Sequence, residues 1–211
     1  MKYSTILIVF WLGLGTICAQ QKIDKHFDFT GKESVSLKIQ IADSITIHTW
    51  EKKEVYITAS IDINDNKDND AYSTSFDEAG TALVVEANFK KNYFKGKNNC
   101  CNETKIFWQV FMPENTDFNV ETINANVNID GKTEKMKVKS ISGYIDLSVP
   151  AVRNADLEFS TISGTIYSNH DLALTKKKGG VPTVINQKMN NGGFPVRLET
   201  ISGDIFFRKS N

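Results

Sequence analysis

Apolar and polar residues alternate with a period of two through most of this chain, and helical periodicity of useful length is absent. Alternation is found at residues 35–41, 45–47 and 55–61, and residues 106–112 are another apolar strand. This alternation is typical of half-buried β-strands. Residues 72–76 and 82–89 read as a hairpin that turns at residues 78–81. The pattern predicts an all-β protein.

A short motif occurs four times in the second half of the chain. Its copies lie at residues 122–127, 140–145, 161–166 and 200–205, and the last three contain Ile-Ser-Gly. Successive isoleucines of the motif are 18, 21 and 39 residues apart. The longest interval is about twice the others, as if a unit between Leu172 and Met189 had lost its signature. Repeats of this length are typical of stacked units.

The apolar phase changes within each copy. Met136 and Val138 share one phase before the motif, whereas Ile141 and Ile145 share the other phase. Because strand side chains alternate with period two, the slip predicts a corner or bulge at the Ser/Thr of each motif. Each unit is therefore predicted to be two short strands around a bend.

The small residues of the motif have structural interpretations. Glycine fits a sharp turn or a close approach of neighbouring backbone, and the adjacent hydroxyl is expected to satisfy turn amides rather than to act as a nucleophile. Residues 41–45 have the same spacing, with Asp43 in place of glycine. They predict a degenerate first unit.

The N-terminus has the pattern of a secretory signal peptide. Lys2 supplies a positive charge, and residues 6–17 form an apolar run that is too short to span a bilayer comfortably. We predict a signal peptide at residues 1–19, cleaved after Ala19, and one domain at residues 20–211. The protein is then exported to the periplasm, the outer membrane surface or the extracellular space, with no membrane span after signal removal.

Lipidation at Cys18 is a disfavoured alternative, because bulky Ile17 stands where a small residue is typical. Signal removal leaves only the adjacent Cys100 and Cys101, which lack redox or metal spacing and are interpreted as a loop pair. Their redox state stays open: a strained ring, pairing with another molecule, or free thiols. The chain has 25 basic and 25 acidic residues, so no nucleic-acid partner is indicated.

Three charged segments suggest ligands less strongly than they suggest loops. The stretch from Asp62 to Asp70 raises a calcium hypothesis, but Lys67 stands where an EF-hand loop needs glycine, which favours a solvated turn. Residues 90–97 and 176–180 are basic and offer sites for an acidic glycan or phosphate. Solvated loops between strands are the favoured interpretation.

Residues for catalysis are scarce. His26, His48 and His170 are far apart and have no metal-ligand spacing. Asp146 and Asp204 lie near equivalent places after the motif, where paired carboxylates of a glycosidase or lyase meet across stacked units, but outward strand positions are the simpler interpretation. We predict no catalytic, cofactor-binding or metal-binding residues.

Four features of the chain occur in a characteristic order. They are residues 45–57, the strand-proline step at residues 110–113, the Ile-Ser-Gly copies, and the ending from Asn190-Asn191-Gly192-Gly193 through Gly203-Asp204-Ile205. Together they resemble a bacterial β-repeat family labelled "putative adhesin", a domain of unknown function. The resemblance covers almost the whole mature chain. It implies a right-handed β-helix or related solenoid at the envelope or cell surface, with no known catalytic residues.

The predicted architecture is a solenoid-like stack in which the earlier strands either continue the stack or cap it with an antiparallel portion. The predicted function is a non-enzymatic adhesin or scaffold that presents its outer faces to a protein or glycan at the envelope. A polysaccharide-acting enzyme is the main alternative, because β-helices also support lyases and hydrolases. An envelope accessory or sensing protein is a third interpretation.

Overall fold

A computed structural model describes residues 21–78, 80–94, 103–172 and 183–210. Within this part the chain forms fifteen strands and a single 3₁₀ turn at Asn69–Ala71. The strands are β1 (Gln21–Asp28), β2 (Ser34–Ile39), β3 (Ile41–Trp50), β4 (Glu54–Ile63), β5 (Tyr72–Asp77), β6 (Ala82–Phe89), β7 (Thr104–Pro113), β8 (Asp117–Asp130), β9 (Met136–Ser142), β10 (Ile145–Val149), β11 (Ala155–Ser163), β12 (Ile166–Ser168), β13 (Thr183–Met189), β14 (Phe194–Ser202) and β15 (Ile205–Lys209). The all-β prediction and the hairpin of β5 and β6 are confirmed.

Some predictions fall outside the described residues. They are the signal peptide, the lipidation alternative, Cys100, Cys101, and the basic residues 95–97 and 176–180. In the part of the chain that the structure describes, no helix is long and apolar enough to cross a membrane.

The strands form one open sheet that folds into two layers over a common core. The upstream layer holds the strands before each corner, in the spatial order β5, β6, β2, the first part of β8, β9, β14, β11 and β13. The downstream layer runs β1, β4, β7, β3, the second part of β8, β10, β15 and β12. Buried Phe159 of β11 meets buried Phe207 of β15 with ring centroids 5.2 Å apart, which joins the layers across the core.

Each motif copy is a unit that contributes one strand to each layer, as predicted. Strands β9 and β10, β11 and β12, and β14 and β15 are such pairs, whereas the first copy is one long strand, β8, that changes partners halfway. The degenerate first unit is also confirmed, because β2 and β3 pair in parallel with the two parts of β8. The register between β3 and β8 shifts between Ile41 and Ser44, at the position of Asp43.

The order of the units differs from that of a simple solenoid. The last unit, β14 and β15, lies between the second and third, because β14 pairs in parallel with both β9 and β11. The prediction of a lost unit between Leu172 and Met189 is therefore wrong: the third and fourth copies pair directly, and β13 is an antiparallel edge strand beside β11. Antiparallel pairs also close the N-terminal side, through β1, β4 and β7. The handedness of the predicted β-helix stays a prediction.

The corner glycines form a column in which backbones approach closely. A Cβ on Gly143 would lie 2.3 Å from the carbonyl oxygen of Ala125, one on Gly203 would lie 1.9 Å from that of Gly143, and one on Gly164 would lie 2.0 Å from that of Gly203. Real Cβ atoms do not approach carbonyl oxygens this closely, so glycine is required at all three corners. Ala125 is tolerated at the end of this column, where the neighbouring strand is the irregular segment around Asp43.

The corner lies later in the motif than the sequence indicated. The first residue of the motif points inward, as in buried Thr122 and Thr161, whose hydroxyls donate to backbone carbonyls. The phase slip comes after the isoleucine, so the motif isoleucines are the last outward residues of the first strand. The sequence interpretation that grouped them with the inward residues is wrong: Ile123, Ile141, Ile162 and Ile201 are 44–50% exposed.

Candidate binding faces

The outer face of the downstream layer carries a row of aromatic and imidazole rings. We call His26, Tyr56, Phe111, His48 and Trp50 the aromatic row. The first four occupy cross-strand positions on the adjacent strands β1, β4, β7 and β3, and Trp50 follows two residues after His48. Their side chains point outward because Val55, Ile57, Val110 and Ile47 fill the inward positions next to them.

The rings of the aromatic row stack face to face across the strands. The ring centroids are 4.2 Å apart for His26 and Tyr56, 5.9 Å for Tyr56 and Phe111, and 5.3 Å for both His48 and Trp50 with Phe111. The planes of these pairs differ by no more than 29°.

Hydrogen bonds hold Trp50 and Tyr56 of the aromatic row in place. The Trp50 Nε1–H donates to the Glu54 carbonyl at 2.8 Å, and the Lys52 Nζ lies 4.5 Å from the Trp50 ring centroid. The Tyr56 hydroxyl donates to Asp24 at 3.2 Å. Desolvation and the hydrogen bond to Asp24 raise the pKa of Tyr56 above its ordinary value. The row is therefore a preorganised surface of stacked rings.

An open cleft of about 720 Å³ adjoins the Trp50 end of the row. Its walls come from the loops that follow β1, β3, β7 and β8, which meet at one end of the two layers. Besides Trp50 the cleft is lined by carboxylates and lysines: Glu33, Glu51, Glu114, Asp117, Glu134, Lys32, Lys53 and Lys135. Lys135 Nζ lies 3.0 Å from Asp117. A ring beside alternating hydrogen-bond donors and acceptors is typical of sites for polar ligands.

A second group of rings lies at the opposite edge of the downstream layer. Tyr167 stacks on Phe206 at 5.2 Å, and Tyr144 meets Phe206 edge-on at 5.9 Å. The Arg208 guanidinium lies over Phe206 at 5.2 Å, and its Nη2 lies 2.8 Å from the Asp146 carboxylate. This face thus has aromatic groups at both ends.

The structure places Asp146 on β10 and Asp204 in the corner between β14 and β15, and their roles differ. Asp146 is opposite Phe206 rather than opposite Asp204, and points outward from β10 as expected. Its pKa is raised by burial, which the charge of Arg208 partly offsets. The Asp204 carboxylate accepts the backbone N–H of Thr165 at 2.8 Å. Each carboxylate already has its own partner.

The outer face of the upstream layer is built from regular rows. The isoleucine ridge consists of Ile123, Ile141, Ile201 and Ile162, in the order of their strands β8, β9, β14 and β11. Two residues before each isoleucine, the outward positions carry charge on three of the four strands. This surface has two adjacent rows, one apolar and one charged.

The acidic stretch and the first basic loop meet in the structure. The Asp68 carboxylate accepts the Tyr93 hydroxyl at 3.1 Å and the Asn64 amide at 2.6 Å, while Asp62 accepts the backbone N–H of Asn66 at 2.8 Å. Asn64, Asp65 and Asn66 have positive φ, which matches the predicted turn. Calcium binding at this turn stays a hypothesis. In the described residues, His, Cys, Asp and Glu form no group of three or more that could hold a metal ion.

The three histidines are not equivalent. His26 and His48 belong to the same aromatic row although 22 residues separate them in the sequence. His170 is buried and stacks on Phe207 with centroids 4.3 Å apart. Burial lowers the pKa of His170, and a contact with the Arg208 backbone partly offsets this effect.

The sequence interpretation missed the aromatic row. The alternation at residues 55–61 puts Tyr56 on the phase opposite to Val55 and Ile57, and this was the available signal. The row exists only because β4 pairs with β7, and β7 with β3, and alternation does not specify these neighbours.

Comparison with known proteins confirms the family resemblance. Residues 113–207 match the family model described as Toastrack DUF4097. This supports an adhesin-like domain of unknown function. No protein of curated function matches the sequence.

Solved structures show the fold. A protein called a putative cell adhesion protein, from Clostridium sporogenes, superposes with a TM-score of 0.61 at 11% identity, over 91% of this chain and 100% of that chain. A protein called a putative adhesin, from Bacteroides fragilis, gives a TM-score of 0.35 at 10% identity, over 92% of this chain and 99% of that chain. At these identities the first likeness establishes the architecture alone, and the second score is too low to support an argument.

Proposed function

We propose that this chain, which carries a DUF4097 domain over residues 113–207, is a non-enzymatic adhesin or scaffold exported to the envelope or cell surface. The observation that carries the proposal is the aromatic row. Outward faces of sheets are normally polar, and exposed aromatic clusters are typical of interaction sites. The N-terminal sequence supports export, and the name of the Clostridium sporogenes protein is consistent with adhesion.

A glycan is the partner that this surface suits best. Sugar rings present C–H groups that pack on aromatic rings, and their hydroxyls both donate and accept hydrogen bonds. Trp50 supplies a ring at the mouth of the cleft, and Lys135 and Asp117 supply a donor and acceptors on its wall. The fixed indole loses little conformational entropy on binding, which favours affinity.

The proposal is tested by measuring binding of the purified protein to envelope and host glycans and to matrix proteins, with product release recorded in parallel. We expect saturable glycan binding without product. Trp50→Ala should weaken binding by about ten-fold or more, as truncation of a central aromatic residue does at other interfaces. Phe107→Ala is the matched control, because Phe107 is 46% exposed on the same outer face of β7 but outside the row. Equal losses in both variants, or no binding, would overturn the proposal.

A polysaccharide-acting enzyme is the second candidate, because carboxylates such as Glu51 and Glu114 lie in the same cleft as Trp50. Paired carboxylates carry the hydrolysis of glycosidic bonds. Release of shortened glycan that is abolished by Glu114→Gln or Glu51→Gln would replace the adhesin proposal with this one.

A further inference from the structure

The isoleucine ridge is an apolar line on a face that is otherwise charged. Its four side chains are 44–50% exposed and occupy the same position of four adjacent, parallel, in-register strands. Val184 of β13, 38% exposed, lies opposite Ser160 and extends the apolar surface beyond Ile162. Contiguous exposed apolar surface of this kind is typical of interaction sites.

A row of alternating charge runs beside the ridge. We define the charge row as Glu86, Lys38, Glu121, Lys139 and Glu199, which are cross-strand neighbours in this order. The Lys38 Nζ lies 2.8 Å from Glu86, and the Lys139 Nζ lies 2.9 Å from Glu199. The charged groups of both pairs are 32–48% exposed, so their outer sides are accessible.

We propose that the isoleucine ridge is a contact between two copies of this chain, packed ridge against ridge in opposite directions. The two-fold axis passes between β9 and β14. Ile141 of one copy then meets Ile201 of the other, and Ile123 meets Ile162. A two-fold contact must be self-complementary, and this ridge satisfies that requirement along its whole length.

The charge row supplies the complementarity that selects a second copy of this chain. The two members of the charge row nearest the axis have opposite signs, so the two-fold rotation places each of them opposite its opposite. With the axis between β9 and β14, Lys139 of each copy faces Glu199 of the other. Arg197 lies farther from the ridge than Glu199 does. Its guanidinium already pairs with Glu158 and lies 3.8 Å from Glu199, so its positive charge is largely compensated within its own chain.

This arrangement leaves the aromatic rows free. They lie on the downstream layer, whose outer face is turned away from the upstream face that carries the ridge. A dimer would therefore present two aromatic rows in opposite directions. The self-association itself does not depend on the proposed adhesin function.

Charge reversal tests the contact directly. In sedimentation velocity over a range of concentrations, we expect the wild-type protein to form dimers. Lys139→Glu places Glu opposite Glu199, and Glu199→Lys places Lys opposite Lys139. Each variant alone should therefore dimerise at least about ten-fold more weakly than the wild-type protein. An equimolar mixture should recover dimers, because both contacts are then of opposite sign, and the double variant in one chain should also recover them.

Substitutions in the ridge test the apolar part of the contact. Ile141→Asn and Ile201→Asn should abolish the dimer, whereas Val152→Asn should not, since Val152 is 86% exposed in a loop away from the ridge. Circular dichroism of each variant confirms that loss of the dimer is not loss of the fold. A protein that stays monomeric, or dimers that the charge reversals leave unchanged, would overturn the proposal. Binding of monomers to phospholipid vesicles through the ridge would likewise overturn it and assign the ridge to a lipid surface.

Discussion

The outer faces of the two layers come from the same units but differ in regularity. On the upstream face, equivalent positions of neighbouring strands carry the same residue type, as in the isoleucine ridge. On the downstream face, equivalent positions carry Asn128, Asp146, Phe206 and Tyr167, which have little in common. The aromatic row lies on β1, β4, β7 and β3, largely outside the motif copies.

The difference arises because the outward residues of the two layers are constrained to different extents. The motif residues that end the upstream strands lie next to the corner, where the close-packed column of Gly143, Gly203 and Gly164 holds neighbouring units together. A repeated motif therefore produces rows there. Downstream strands leave the corner with only their inward residues constrained by the core, so their outward residues are free to form distinct sites.

Substitution of a corner glycine should have the largest effect on stability, because the strands of both layers meet at the corner. Gly203→Ala should lower the free energy of unfolding by about 3 kcal/mol, since the new Cβ would lie 1.9 Å from the Gly143 carbonyl oxygen. Urea denaturation measures the change. Gly31→Ala is the control: φ is +76° but no atom lies within 4 Å of the added Cβ, so only about 1 kcal/mol is expected. Equal losses would show that close packing of the column is not the constraint.

Removal of a ring from the centre of the aromatic row should affect the downstream face alone. Phe111 contacts His48, Trp50 and Tyr56. Phe111→Ala should therefore cost about 1 to 2 kcal/mol of unfolding free energy, as stacked aromatic pairs do elsewhere. Phe107→Ala, on the same strand and face, should cost less than about 0.5 kcal/mol. If the two substitutions cost the same, the rings of the row do not stabilise one another.

The smallest effect concerns the edge where β12 closes the stack. Burial lowers the pKa of His170 below its ordinary value of 6.5, so below that pH the unfolded chain binds more protons than the folded chain. Stability should thus be complete above pH 6.5 and decline as the pH falls towards the lowered pKa. His170→Phe keeps a ring against Phe207 without a titrating group. The difference in unfolding free energy between wild type and variant should shift in favour of the variant on acidification, and a difference independent of pH would contradict this assignment.

Much of the fold was predictable because the positions of the strands follow from the local alternation of apolar and polar residues. Alternation located the strands, and the phase slip with glycine located two-strand units, including the degenerate unit around Asp43. These features depend on residues within one or two strands, where period-two geometry relates sequence directly to orientation. The same local argument failed for the motif isoleucines, because a corner moved by one or two residues reverses which side a residue faces.

The sequence by itself determined that the chain is all-β, that each motif copy is a unit of two strands around a bend, and where most of the strands lie. Only the tertiary structure decided that the last unit lies between the second and third, that His26 and His48 share one row, and that the loop of Asp68 meets Tyr93. The physical reason is that strands with the same alternation are interchangeable as neighbours. Their pairing is selected by packing over the whole core, and the functional surfaces consist of the residues that this pairing places side by side.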